Sequence, residues 1–285
     1  MYAVMGITGQ VGGATARALL AAGQKVRAVV RDEAKGAAWR TLGCEIAVAD
    51  IGNPYALRDA FSGALAVFAM LPPLFDPAPG YPEAAAMIRS LRSALEVARP
   101  KKVVALSTIG AAAQQPNLLN QLGMLESALR ELLMPVAFVR AAWFMENFAW
   151  DIATARDTGI LHSYLQPLER TIPMIATADV GSTAAALMQE DWQGKRIVEL
   201  EARQPVSPAL AAQTLGRILA CDVRAQAVPR ESWQALFVAQ GMRHPLPRIQ
   251  MLDGFNEGWI AFDGEDERRQ GHTTLEAVLA GLTAA

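Results

Sequence analysis

The 285-residue chain carries 26 basic and 28 acidic residues for a formal charge of −2, with 52% hydrophobic and 19% charged residues. That length can bury a large core, and the even charge balance leaves no electrostatic footprint for nucleic acid or an anionic membrane, so the expected partners are small molecules. Cys44 and Cys221 stand far apart and in no CxxC pattern, and are expected to be two buried thiols of a reducing compartment.

The first residues read directly as a strand, with no basic stretch leading into an apolar run, and cytoplasm is the expected location. The apolar stretch from Leu132 to Phe144 is broken by Pro135 and Arg140 and is too short to span a bilayer. Strands are expected at Tyr2–Met5, Val26–Val30, Glu45–Val48, Leu65–Met70, Val103–Leu106 and Val136–Val139. Helix-compatible segments lie between them at Gly13–Ala22, Pro54–Phe61, Glu83–Val97 and Leu118–Leu133, with Gly23 and Gly63 where helices should stop. Six strands in βα alternation predict an α/β protein with a Rossmann-type doubly wound parallel sheet. After about Arg140 the alternation weakens. Ser207 and Pro208 read as an N-cap and a first-turn proline opening a helix to Leu219. These later pieces predict a smaller α+β carboxy-terminal lobe, so that residues 1–142 form the dinucleotide-binding domain and residues 143–285 a substrate-side lobe interleaved with it. The Pro-rich stretch from Leu71 to Pro82 directly follows a sheet strand and reads as a pocket-lining loop. The charged run Asp263 to Arg269 reads as a solvated helix or loop face.

The chemistry-bearing motif is Gly6-Ile7-Thr8-Gly9-Gln10-Val11-Gly12, set between the first strand and the first helix. A helix N-terminus offers free N–H groups and a positive dipole end to a pyrophosphate. Gly6 allows the tight turn, Gly9 lets the backbone approach the phosphates, and Gly12 lets helix and sheet pack closely; Thr8 can add a hydroxyl. Such glycine spacings also arise in merely structural turns, but here the loop sits in a βαβ unit closing near Val30, which is the confirming context. A nicotinamide dinucleotide is therefore the expected ligand. The second strand runs into Arg31, whose guanidinium suits a ribose 2′-phosphate, and NADP(H) is favoured on that ground. Asp32 follows immediately and keeps NAD(H) open, as does the reading of Arg31 as an ordinary loop charge.

These segments resemble the NmrA-like family of atypical short-chain dehydrogenase/reductases over nearly the whole chain, most of all the branch of type 2 quinone oxidoreductases and triphenylmethane reductases. The resemblance is carried by the phosphate loop, by Val26 to Arg31, by Asp50 with Pro54 to Gly63, by Phe68-Ala69-Met70-Leu71-Pro72-Pro73, and by Val139-Arg140-Ala141-Ala142-Trp143-Phe144-Met145-Glu146-Asn147-Phe148. Ala178-Asp179-Val180-Gly181 and Gly271 to Glu276 also fit. It implies that Asp50 and Ile51 lie near the adenine, that Met70, Leu71 and Pro72 line the cofactor path, and that Ser107 lies near the nicotinamide ribose as the candidate catalytic hydroxyl. Trp143, Phe144 and Asn147 would face the substrate, the competing reading of the two aromatics being ordinary core at the lobe junction.

Short-chain reductases place a tyrosine and a lysine four residues apart on the helix after the fifth strand, where the tyrosine supplies the proton. Anchored on Glu126 and Arg140, those positions fall on Leu118 and Leu122, which with Leu125 and Leu129 read as a core stripe. The dyad is absent on this alignment. Two functions remain: an NAD(P)H-dependent oxidoreductase passing hydride to a small apolar acceptor such as a quinone, which needs no protein acid, or a non-catalytic redox sensor that signals dinucleotide occupancy to a protein partner. Sugar-nucleotide epimerase chemistry needs the tyrosine and lysine and is weakened most. His162, His244 and His272 have no ligand spacing, so no metal is expected.

Overall fold

The computed structural model describes residues 1–264 and 266–284; Glu265, within the charged run after Asp263, and the last residue lie outside them. The first half runs β1 (Tyr2–Val4), α1 (Gln10–Ala21), β2 (Val26–Val30), a 3-10 turn leading into α2 (Ala37–Thr41), β3 (Glu45–Val48), α3 (Pro54–Phe61), β4 (Ala66–Ala69), α4 (Pro82–Ala98), β5 (Lys102–Thr108), α5 (Asn120–Arg130) and β6 (Val136–Ala141). The second half comprises β7 (Trp143–Phe144), a 3-10 turn over Met145–Trp150, α6 (Ile152–Thr158), β8 (Ile160–Ser163), β9 (Met174–Ile175), α7 (Thr177–Gln189), β10 (Lys195–Ala202), α8 (Pro208–Leu219), β11 (Arg224–Ala227), α9 (Trp233–Ala239), α10 (Leu246–Glu257), β12 (Glu267–Gly271) and α11 (Leu275–Ala284).

Eight strands form one sheet in the order β12-β10-β6-β5-β4-β1-β2-β3, every neighbouring pair parallel. Parallel strands covered by helices on both faces are apolar throughout, and β4 and β6 are buried at every residue. The sheet separates two cores. One face packs Val4, Ala28, Phe68, Val104 and Val139 with helices α1 and α7; the other packs Ala3, Val67, Ala105 and Phe138 with α3, α4 and α5. Among the described residues no helix is long and apolar enough to cross a membrane.

Local signals set the boundaries. Asn53 caps α3 by accepting from the N–H groups of Tyr55 and Ala56 at 3.1 Å each, and Ser207 caps α8 by accepting from Leu210 N–H at 3.1 Å. Each such cap is worth about 1 kcal/mol. Gly23 and Gly63 follow their helices with positive φ.

The structure departs from the sequence reading in four places. Strands β10 and β12 extend the expected six-stranded sheet to eight. The charged run from Asp263 to Arg269 does not end as a helix or loop, because Glu267–Gly271 pairs in register with Val198–Ala202 as the edge strand, although Glu267 and Arg268 stay exposed and Glu265 lies outside the described residues; a charged strand suits an edge that must not aggregate. Leu118 precedes α5 and packs in the α1-side core, while Leu125 and Leu129 pack in the other, so the expected leucine stripe is split by the sheet. Cys44 is buried, but Cys221, just beyond α8, is exposed.

Candidate active site at the carboxy-terminal edge of the sheet

The chain lays β1, β2 and β3 side by side in one direction, then returns to place β4, β5 and β6 on the other side of β1. At this reversal the chain after β1 enters α1 on one face and the chain after β4 enters α4 on the other; open α/β sheets bind ligands in the crevice beside such a switch point, at the carboxyl ends of the strands. Met5 N–H donates to Phe68 O at 3.1 Å, so the glycine loop leaves the sheet beside the start of the Pro-rich loop.

Gly6 turns the loop with φ +61°, and a Cβ placed on it would stand 2.4 Å from Met70 Sδ. A Cβ on Gly12 would stand 2.3 Å from Gly6 O, so loop and helix are in backbone contact. Gly9 is the N-cap of α1 and has no side chain to satisfy the first turn. Its own N–H is taken by Gly6 O at 2.9 Å and its carbonyl by Gly13 N–H at 3.0 Å, whereas the N–H groups of Gln10, Val11 and Gly12 donate to no carbonyl or side chain among the described residues. Three free N–H groups on a positive helix end, under a bare glycine surface, make an anion cradle. Thr8 and Gln10 are exposed beside it, and Val11 is buried beneath.

Arg31 follows β2, is exposed, and forms no ion pair among the described residues. The neighbouring acid is occupied: Asp32 accepts from Ala34 N–H at 3.0 Å and caps the 3-10 turn. Asp50 is exposed and accepts from Gly52 N–H at 2.8 Å, while Ile51 is buried against the α3 core. Across the crevice Met70 is half-buried and touches both cores, Leu71 is buried and Pro72 half-buried. The structure thus gathers the phosphate loop and Met70 at one strand reversal, with Arg31 and Asp50 at the ends of the flanking strands β2 and β3.

Ser107, at the end of β5, is 3% exposed and donates its hydroxyl to Glu126 Oε1 at 2.6 Å. Glu126 on α5 in turn accepts both Arg140 Nε and Arg140 Nη2 at 2.9 Å. Ser107 and Arg140 are direct cross-strand partners, and Arg140 is similarly paired with Glu199 of β10. Arg140 Nη1 reaches Asp263 Oδ2 at 2.6 Å, and Glu199 accepts from the N–H of Asp263 at 2.8 Å. Burial opposes the Arg140 charge, but the hydrogen bonds and charge of Glu126 and then Asp263 outweigh it and hold its pKa above the usual arginine range. Glu199, Asp263 and Asp266 come close together, and Arg140 and Arg268 pair with them. Of the two leucines onto which the Glu126–Arg140 spacing places the tyrosine and lysine positions, Leu118 is buried and Leu122 half-buried.

Just beyond β6, Trp143 meets Phe255 of α10 edge to face, with centroids 5.1 Å apart; Phe144 and Asn147 are half-buried on the same segment. Glu146 Oε1 accepts from both N–H and hydroxyl of Thr177, fixing this segment on the start of α7. The Pro-rich loop is docked rather than loose. Asp76 accepts from Arg243 N–H at 2.9 Å and His244 N–H at 2.6 Å, Leu74 O accepts from Gln121 Nε2 at 3.2 Å, and Phe75 packs edge to face on Trp150. The backbone N–H of Arg243 leads in holding the Asp76 carboxyl below its usual range. Sequence reasoning missed this latch because it joins residues more than 160 positions apart, and the Glu126–Arg140 pair was visible only as two matched spacings.

A family-wide comparison decides the relationship: the NmrA-like family model matches residues 2–257. The chain belongs to the NmrA-like family. Among its relatives, an NAD(P)H azoreductase of Xenophilus azovorans is 27% identical over 259 residues, covering 90% of this chain and 85% of that protein. This NmrA-like fold superposes with a TM-score of 0.81 on a triphenylmethane reductase of a Citrobacter species, at 21% identity over 100% of this chain and 99% of the other. It superposes equally, with a TM-score of 0.81 and 21% identity over 99% and 100% of the two chains, on an NADPH-dependent quinone oxidoreductase of Escherichia coli solved with NADPH.

Proposed function

We propose that this NmrA-like protein is an NADP(H)-dependent oxidoreductase that passes hydride to a small, largely apolar acceptor such as a quinone, without a Tyr/Lys dyad. The observation that carries the reading is the anion cradle of Gly6, Gly9 and Gly12, where the N–H groups of Gln10 to Gly12 meet no acceptor, and Arg31 at the end of β2 no ion-pair partner, among the described residues. Its relatives are described as NAD(P)H, dye and NADPH-dependent quinone reductases, which supports the enzyme over a silent redox sensor.

In this reading the first turn of α1 holds the pyrophosphate and Thr8 adds a hydroxyl bond. Arg31 takes the 2′-phosphate through charge-assisted bonds, while Asp32, already a cap, does not compete for a ribose hydroxyl. Asp50 and Ile51 border the adenine, and Met70, Leu71 and Pro72 flank the path to the nicotinamide. When bound, the cofactor supplies a hydride donor. Trp143, Phe144 and Asn147 shape the acceptor side and exclude water beside Met70 and Pro72. The Ser107 hydroxyl already donates its hydrogen bond to Glu126, and that carboxylate, clamped by Arg140, is acceptor-only. The Ser107 oxygen is therefore oriented to accept from the nicotinamide half, and water supplies the proton that follows hydride. A reducing cytoplasm suits the exposed thiol of Cys221.

Oxidation of NADPH against a panel of quinones and dyes, with cofactor binding measured in parallel, tests the proposal. Turnover with a quinone is the expected result; tight binding without turnover across the panel would transfer the assignment to a sensor.

A further inference from the structure

Arg248 lies in the first turn of α10 and is half-buried. Buried arginines are ordinarily matched by carboxylates, but this one has no ion pair among the described residues; its hydrogen-bond contact runs from Nη1 to Met242 Sδ at 3.8 Å. Its guanidinium rests on Phe237, 4.4 Å from the ring centroid, and Tyr164 packs on the same ring at 5.2 Å. None of its nitrogens is among the side-chain atoms that are sealed from solvent without a partner. The unused N–H groups therefore face accessible space, above an aromatic floor. Burial pushes the Arg248 pKa below the usual arginine range, the direction expected of a cation lacking its counter-ion.

The surroundings of α10 link this cation to the crevice. Pro247 O accepts from Leu118 N–H at 2.9 Å, so the helix begins against the residue that stands where a short-chain reductase would carry its tyrosine. The preceding loop is the one latched by Asp76 of the Pro-rich loop. Phe255, seven residues along α10 and hence on the same face, is the partner of Trp143. Two turns, about 10 Å, separate Arg248 from that aromatic pair.

We propose that Arg248 is a recognition residue for a flat aromatic acceptor that carries an anionic carboxylate or sulfonate group, with the ring system toward the half-buried Trp143 and the anion on the guanidinium. The inference rests on the reductase reading for the acceptor's role, though not for the anion site itself. A planar fork on an aromatic face is suited to bidentate capture of such an oxyanion, and the bound anion supplies the counter-charge that the described residues do not.

The test is calorimetric binding of anthraquinone-2-sulfonate to the wild type, Arg248→Met and Arg248→Lys, with NADPH affinity and thermal melting as controls. Arg248→Met should weaken the sulfonate about tenfold or more, Arg248→Lys should restore part of it, NADPH affinity should hold, and the melting temperature of Arg248→Met should stay level or rise because an unpaired charge has been replaced by an apolar chain. Failure of the wild type to bind the sulfonate, equal binding by Arg248→Met, or a lowered melting temperature with NADPH affinity lost in parallel overturns the assignment. If binding depends on Arg248 while neutral 1,4-naphthoquinone is not reduced by the NADPH-loaded wild type, the reductase reading falls and the anion site stands.

Discussion

At the residue scale, cofactor choice turns on one side chain. Arg31 has no competing partner among the described residues, and its acidic neighbour is spent on a cap, so Arg31→Ala should weaken NADPH by about tenfold or more, the loss expected of charge-assisted hydrogen bonds. NADH affinity should hardly move, and equal losses for both would remove Arg31 from the 2′-phosphate. A second residue sets a pH response. Asp151, between the Trp143–Trp150 segment and α6, is pushed up to about 6 by burial. Its folded-state pKa is raised, so the native state holds the proton more tightly than the unfolded chain, and stability falls as pH rises from about 4 through about 6. Asp151→Asn should therefore raise stability at pH 8 by roughly 2–3 kcal/mol, with little gain near pH 4; an equal gain at both pH values would contradict the burial argument.

The elements carry the lesson of what was legible. β2, β3, α3 and α8 have the bounds read from the sequence, because each is framed by a local signal: a β-branched run, an Asn or Ser cap, a first-turn proline or a following glycine. Strand β12 was not legible. Its residues Glu-Arg-Arg-Gln-Gly lack any apolar alternation, and only pairing to β10 and the Glu267 bridge to Arg196 make them a strand. The glycine cradle was readable since backbone approach demands glycine at given spacings, whereas the commitment of Ser107 to Glu126 depended on the register of β5 against β6. The Asp76 latch is equally non-local. Asp76→Ala should accelerate amide exchange at Arg243 and His244 and raise the KM for acceptor; unchanged exchange there would show that the Pro-rich loop is held by Phe75 and Gln121 alone.

At the scale of the molecule, one parallel sheet organises everything: its strand reversal places the glycine loop where the proposed cofactor would bind, and the later half of the chain adds β10 and β12 to the same sheet. The row Ser107, Arg140, Glu199 and Arg268 crosses β5, β6, β10 and β12 in register, tying the edge of the sheet added last to the strand end beside the crevice. The proposed function has hydride leaving a bound NADPH with water, and no side chain of the protein, supplying the proton. The direct test is a single turnover, in which a stoichiometric complex of the protein with NADPH is mixed with 1,4-naphthoquinone and the reduced-nicotinamide absorbance is followed. The account predicts full loss of that absorbance, one hydride per chain, and no complex at all in Gly9→Asp, whose carboxylate would occupy the anion cradle. A complex whose absorbance persists in the presence of the quinone would contradict it.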